Sequence, residues 1–210
     1  MEKQINIITL GDTGVGKTSI IKRIQKGEFD EEIKATVGND ILTLKRPYKK
    51  KNLTMLLTFY DTAGQEIFLN ILPLQYIRDS HIVLLVFDNI NTLKVLEERW
   101  YSYYKDNANI NDAKFILIGN KSDIFGNERE KIIEKGNKFS EDIDAHFMTC
   151  SAKCSDNMDN LERYIITEAK RFIDEEEKKY QNIVPNNLIR RASFNLKKNN
   201  KKGINCTCKK

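Results

Sequence analysis

Proline and cysteine are scarce in this chain, with three prolines and four cysteines among 210 residues. So few cysteines exclude a disulfide-stapled scaffold, and a chain of this length buries enough apolar surface for one self-supporting core. With no signal-type leader at its start, the chain is expected in a reducing compartment. No apolar run approaches the roughly 20 residues a membrane-spanning helix needs. Membrane contact is therefore expected through lipid or charge. Histidine is limited to His81 and His146. Both open apolar runs outside any motif, so neither is assigned catalysis. Cys150 and Cys154 lack the spacing and the histidine neighbours of a metal site.

Acidic residues are absent after Glu177, whereas Arg190, Arg191, Lys197, Lys198, Lys201, Lys202, Lys209 and Lys210 crowd the end. Taking those eight from the net charge of +5 leaves −3 for residues 1–185. The basic balance belongs to the tail, which argues against a nucleic-acid-binding domain. Rich in Asn and Lys and poor in large apolar residues, the tail reads as a disordered linker. The expected division is a domain over 1–180 and a basic tail over 181–210.

What is present is a set of ordered motifs. Residues 11–18 read Gly-Asp-Thr-Gly-Val-Gly-Lys-Thr, between the apolar run Ile5 to Leu10 and a helix-like stretch from Ser19 to Lys26. This is G-x-x-x-x-G-K-[ST] in the strand, turn and helix context it needs. Glycines let the backbone N–H groups of Thr13, Gly14, Val15, Gly16, Lys17, Thr18 and Ser19 turn toward phosphate oxygens, and the helix adds its N-terminal dipole. Lys17 supplies a point charge for the β- and γ-phosphates, and the Thr18 hydroxyl is a ligand for Mg²⁺.

Asp61-Thr62-Ala63-Gly64-Gln65-Glu66 follows a second strand, where Leu53, Met55, Leu57 and Phe59 share a face. Asp61 is placed to hold Mg²⁺ directly or through water. Gly64 offers a backbone N–H to a γ-phosphate, and the neutral amide of Gln65 can orient an attacking water. Asn120-Lys121-Ser122-Asp123 closes a third apolar run. Guanine presents its N1–H and 2-amino donors side by side, and a carboxylate at Asp123 accepts both. Adenine would leave that carboxylate unpaired, so it selects guanine. Ser151-Ala152-Lys153 follows a fourth run. There the Ala152 N–H can donate to the guanine O6, and Lys121 and Lys153 can lie along the base plane.

These four motifs, in this order, resemble the Ras superfamily of small GTPases over roughly residues 4–178. Glu28-Phe29, the stretch Ala35-Thr36-Val37-Gly38-Asn39-Asp40, Thr13 in the phosphate loop and Tyr76-Ile77-Arg78-Asp79-Ser80 look like its Rab branch. The resemblance implies that Thr36 ligates Mg²⁺ when GTP is bound and that Phe29 packs edge-on against guanine. It implies GTP and GDP as ligands with Mg²⁺, and hydrolysis through Gln65, Lys17 and Thr36. The implied partners are a guanine-nucleotide exchange factor, a GTPase-activating protein, a GDP-dissociation inhibitor or escort protein, and effectors, with the GTPase itself a monomer. Cys206-Thr207-Cys208 matches the geranylgeranylated Cys-x-Cys of Rabs, and two chains anchor stably where one is marginal. The implied location is the cytoplasmic face of an intracellular membrane, in exchange with the cytosol.

The chain also departs from the Rab pattern. Ile67 stands where arginine is usual, Ile41 where phenylalanine is usual and Tyr60 where tryptophan is usual; one extra residue falls near Pro73 to Gln75, and Lys209 and Lys210 follow the cysteine pair. Two alternatives stay open: a guanine-nucleotide-binding scaffold that barely hydrolyses, and a signalling GTPase without lipid. Arg190-Arg191-Ala192-Ser193 has the pattern of a basophilic kinase substrate, where a phosphate would weaken attraction to an anionic leaflet.

Strands are expected near 4–10, 40–46, 53–60, 82–88, 114–119 and 146–150, and helices near 17–26, 68–78, 92–108, 129–138 and 156–178. The run from Ile82 to Phe87 is apolar throughout, as a strand buried on both faces should be. Residues 45–51 read as a basic turn. The alternation predicts a three-layer α/β P-loop GTPase fold: a six-stranded, mostly parallel sheet flanked by about five helices.

Overall fold

The computed structural model describes residues 1–30, 40–62, 74–108 and 113–183, with side chains to 179. Packing divides the chain into a unit of Met1–Lys170 and one of Arg171–Lys210. The first unit holds one six-stranded sheet. Its strands are β1 (Glu2–Leu10), β2 (Asp40–Tyr48), β3 (Leu53–Asp61), β4 (Ile82–Phe87), β5 (Lys114–Gly119) and β6 (His146–Thr149). Their order across the sheet is β2-β3-β1-β4-β5-β6. Only the β2–β3 pair is antiparallel; the other four pairings are parallel. β4 is interior to the sheet, and each residue of Ile82–Phe87 is fully buried, as its unbroken apolar run required.

The helices are α1 (Lys17–Lys26), a short α2 (Leu74–Arg78), a long α3 from Ile90 to Asn107, α4 (Arg129–Asp142) and α5 (Met158–Ile183). One face of the sheet is covered by α2, α3 and α4. There Ile77, Leu93, Leu96, Trp100, Tyr104, Ile132 and Phe139 pack on Ile8, Leu10, Val83, Leu85, Phe87 and Leu117. By the period-two pleat, the buried residues between them, such as Ile7, Leu84 and Ile116, point to the other face. Ile20, Ile21 and Ile24 of α1 are buried, as are Leu161, Ile165 and Ala169 of α5. In the second unit, Arg171 pairs with Glu175 one turn on at 3.6 Å, on the continuing helix.

Several local features differ from the sequence expectation. β2 runs two residues further, through Pro47, which an edge strand with a single neighbour tolerates. A 3₁₀ turn at Lys49–Lys51 then closes the hairpin, with Asn52 left-handed at φ 48°. α3 begins at Ile90, because Asn89 caps it: its Oδ1 accepts from the N–H groups of Asn91 and Thr92. The middle of α3 is a π turn, Leu96–Tyr101, a widening that apolar periodicity does not reveal. α5 extends to Ile183, five residues past the expected end. The tail expected from 181 onward lies almost wholly outside the described residues.

Candidate guanine nucleotide site

The loops that follow β1, β5 and β6 converge at the carboxyl ends of their strands, where open α/β sheets bind ligands. They enclose a cavity of about 240 Å³ lined by Gly14, Gly16, Ser19, Phe29, Asn120, Lys121, Asp123, Ile124, Ala152 and Lys153. Nine of these were expected from the sequence. Ile124, 70% exposed at the rim, was not, since an exposed apolar residue in a loop carries no signal of its own.

The phosphate loop is shaped by backbone geometry only glycine supplies. Gly16 sits at φ +94°, and a Cβ there would collide with the side-chain amide of Asn120. Lys17 is 5% exposed, and its Nζ donates back across the loop to the Gly11 carbonyl at 2.8 Å and the Asp12 carbonyl at 3.1 Å. The ammonium also lies 5.9 Å from the ring centroid of Trp100, which the π turn of α3 presents from beneath. At the loop's other edge, the Thr13 N–H donates to Asp12 Oδ1 at 2.8 Å. The Val15 side chain is fully buried below.

Thr18 and Asp61 meet beside this loop. The Thr18 hydroxyl donates to Asp61 Oδ2 at 2.6 Å, and Thr9 Oγ1 reaches Asp61 Oδ1 at 3.4 Å. Burial pushes the Asp61 carboxyl above its usual range, while the Thr18 hydrogen bond and the Lys17 ammonium pull it back. A buried carboxylate next to a hydroxyl is a hard-oxygen pair with little water around it. Mg²⁺ bound through a nucleotide takes one or two such protein ligands and fills its octahedron with phosphate oxygens and water. The pair fits that cation. Among the described residues there is no group of three or more His, Cys, Asp or Glu side chains that could hold a metal unaided.

The base-side loops are tied together by Asn120, which is 2% exposed. Its Nδ2 donates to the Val15 carbonyl at 2.8 Å, and its Oδ1 accepts from the Ala152 N–H at 3.2 Å. One side chain thus joins the phosphate loop to the Ser151-Ala152-Lys153 loop. Asp123 is oriented by Ser151, whose hydroxyl donates to Asp123 Oδ1 at 2.6 Å and accepts the Cys154 N–H at 3.0 Å. Lys121 adopts φ +61°, and its Nζ donates to Asp88 Oδ2 at 2.7 Å.

Arg23 of α1 braces the same region. Its guanidinium donates to the carbonyls of Ala152 at 2.8 Å, Lys153 at 2.9 Å and Gly27 at 2.6 Å, and lies 5.8 Å from the Phe29 ring centroid. Arg46 is held by Glu162 of α5 at 2.6 Å. Both arginines are therefore engaged away from the phosphate loop. Arg23, Asp88 and Trp100 were missed by the sequence reading because each lies far along the chain from the residue it supports. Thr36, Gly64 and Gln65 lie outside the described residues, as do Cys206, Cys208 and Ser193.

One residue before β3 ends, Tyr60 stacks on Tyr76 of α2 with centroids 4.2 Å apart, and Ile41 of β2 is its cross-strand partner, 53% exposed. Two of the substituted positions noted in the sequence, Ile41 and Tyr60, are thus neighbours across β2 and β3.

A comparison with protein-family models matches residues 6–171 to the Ras family. That span runs from β1 into α5 and contains every loop of the cleft. The chain belongs to the Ras family of small GTPases.

Proposed function

We propose that this GTPase is a Rab-type switch, anchored by lipid to an intracellular membrane and acting in vesicle traffic. The observation that carries the switch reading is a cleft lined by the phosphate-loop residues Gly14, Gly16 and Ser19 together with Asp123, tied by Asn120 to the loop whose Thr18 meets Asp61. The Rab assignment is supported by Thr13, by the stretch around Thr36 and by Cys206-Thr207-Cys208.

On this reading, Asp123 accepts the two donor groups of guanine, and the Ala152 N–H meets its O6. Phe29 covers the base edge, and Lys121 and Lys153 flank its plane. Lys17 and the N–H groups of residues 13–19 hold the phosphates. Thr18 and Asp61, with Thr36, would hold Mg²⁺, which when bound neutralises charge on the β- and γ-phosphate oxygens. Gln65 orients a water whose oxygen attacks the γ-phosphorus in line. The bond from that phosphorus to the β–γ bridging oxygen breaks, giving GDP and inorganic phosphate. Thr36 and Gly64 contact the γ-phosphate, so its loss releases both switch segments. Arg23 and Arg46 are committed elsewhere, so neither stabilises the developing charge. Unaided turnover is slow, and an activating protein accelerates it by roughly 10³–10⁵. An exchange factor, effectors and an escort that shields the lipid complete the cycle. The basic tail adds about 1 kcal/mol of leaflet attraction per cation, which supports the anchor without replacing it.

Single-turnover GTP hydrolysis tests the switch, and intact mass tests the anchor. The native protein should release phosphate slowly, Gln65→Leu should lose that release, and Asp123→Asn should lose preference for guanine. Protein from cells should carry the mass of two prenyl groups on Cys206 and Cys208. Native protein that holds GTP intact, with Gln65→Leu indistinguishable from it, would make this a GTP-bound scaffold. Unmodified cysteines in the membrane-free pool and the membrane fraction alike would remove the Rab anchor.

A further inference from the structure

Lys121 sits in a backbone conformation that disfavours side chains other than glycine or asparagine, at φ +61°. Its stem lines the cleft, and its ammonium is held by a carboxylate outside the cleft, Asp88, at 2.7 Å. Asp88 follows the fully buried strand β4, and its own side chain is 14% exposed. The two oxygens of that carboxylate have separate partners. Oδ1 accepts from Asn89 Nδ2 at 2.7 Å and from Thr92 Oγ1 at 2.9 Å, both at the N-terminus of α3. Oδ2 accepts from Lys121. Thr92 Oγ1 in turn receives the N–H groups of Asp88 and Asn89, at 3.1 and 3.0 Å. The helix cap therefore fixes the carboxylate, and the carboxylate fixes the lysine.

We propose that Asp88 is a positioning residue for the guanine nucleotide: it clamps Lys121 so that its stem stands as a ready-made wall for the base. This inference rests on the reading of the cleft as a guanine site. A free lysine stem samples many rotamers and must be ordered when the base arrives. Tethered to Asp88, it is ordered beforehand, and that difference appears as slower nucleotide loss.

Asp88→Asn separates the two halves of the carboxylate. The amide keeps an oxygen for Asn89 and Thr92 and puts an N–H₂ group where Lys121 needs an acceptor. Release of GDP from the full chain, followed by exchange of a fluorescent GDP analogue, should be about tenfold faster in Asp88→Asn. The single-turnover rate constant for GTP already bound should stay within about twofold, because the change acts on binding and not on the reacting phosphate. Lys121→Gln should release GDP faster on its own, and adding Asp88→Asn to it should change nothing further. Asp88→Glu, which keeps the charge, should restore most of the native dwell time. Should Asp88→Asn fold poorly, Asp88→Ser, which leaves a hydroxyl acceptor for Thr92, repeats the test. Native release from Asp88→Asn, or additive effects of the Asp88 and Lys121 substitutions, would overturn the clamp. Failure of the native protein to bind GDP at all would overturn the guanine-site reading instead.

Discussion

Asn120→Ala removes a side chain that holds two loops at once. The amide donates to the Val15 carbonyl at 2.8 Å and accepts from the Ala152 N–H at 3.2 Å, in a site where only 2% of the residue is exposed. Truncation takes the asparagine partner from a backbone acceptor and a backbone donor with little water to replace it. Each such loss costs about 1–3 kcal/mol. Taking the middle of the lower half for each gives about 3 kcal/mol in total. For a domain of this size, that lowers the melting temperature by roughly 6–12 °C. Urea unfolding with the nucleotide removed, and again at saturating GDP, measures it. Both conditions are needed, because ligand adds its own stability through mass action. GDP should also dissociate faster, since the phosphate loop and the Ala152 N–H lose their common anchor. Asn120→Asp should be at least as destabilising, because it sets a carboxylate oxygen against the Val15 carbonyl. A loss below about 1 kcal/mol in Asn120→Ala would show that the loops hold each other without this side chain, refuting the reasoning.

Gly136 lies in α4, where an added Cβ would run into the Phe147 ring of β6, its Cε atoms only 2.8 Å away. Gly136→Ala should therefore destabilise by about 2 kcal/mol from overpacking, against the gain of about 1 kcal/mol that helix propensity alone offers; a stabilised variant in thermal melts would contradict this. Burial pushes the Cys150 thiol up to about 12 from 9.0, whereas Cys154 is exposed. At pH 8 a thiol so placed holds about 10³-fold less thiolate than an unperturbed one, so iodoacetamide with peptide mapping should modify Cys154 and spare Cys150 in the folded protein. Equal labelling of the two would show that the loop beneath Asn120 opens freely.

Much of this molecule was written locally. Each strand carries an apolar or alternating stretch, so the six strands and their order along the chain could be read off, and β4 declared itself as central by having no polar position between Ile82 and Phe87. The phosphate loop was legible because its chemistry depends on residues seven or fewer apart, with glycine required at φ +94° in Gly16. Asp123 could be nominated for guanine because a carboxylate has the acceptors that the base edge needs.

The supports of those residues were not legible, and the reason is physical. Arg23 braces Ala152 from 129 positions away, and Lys121 finds Asp88 across 33. No periodicity links such pairs; they meet because β1, β4, β5 and β6 lie side by side and deliver their loops to one edge. The π turn that presents Trp100 to Lys17 needs a backbone register shift, which apolar spacing does not encode. Residue types and short spacings were enough to determine the fold class and to nominate residues for phosphates, Mg²⁺ and guanine. Which oxygen of Asp88 faces the lysine, and which side chain ties one loop to the next, was decided only when the parallel sheet brought distant loops within hydrogen-bond reach.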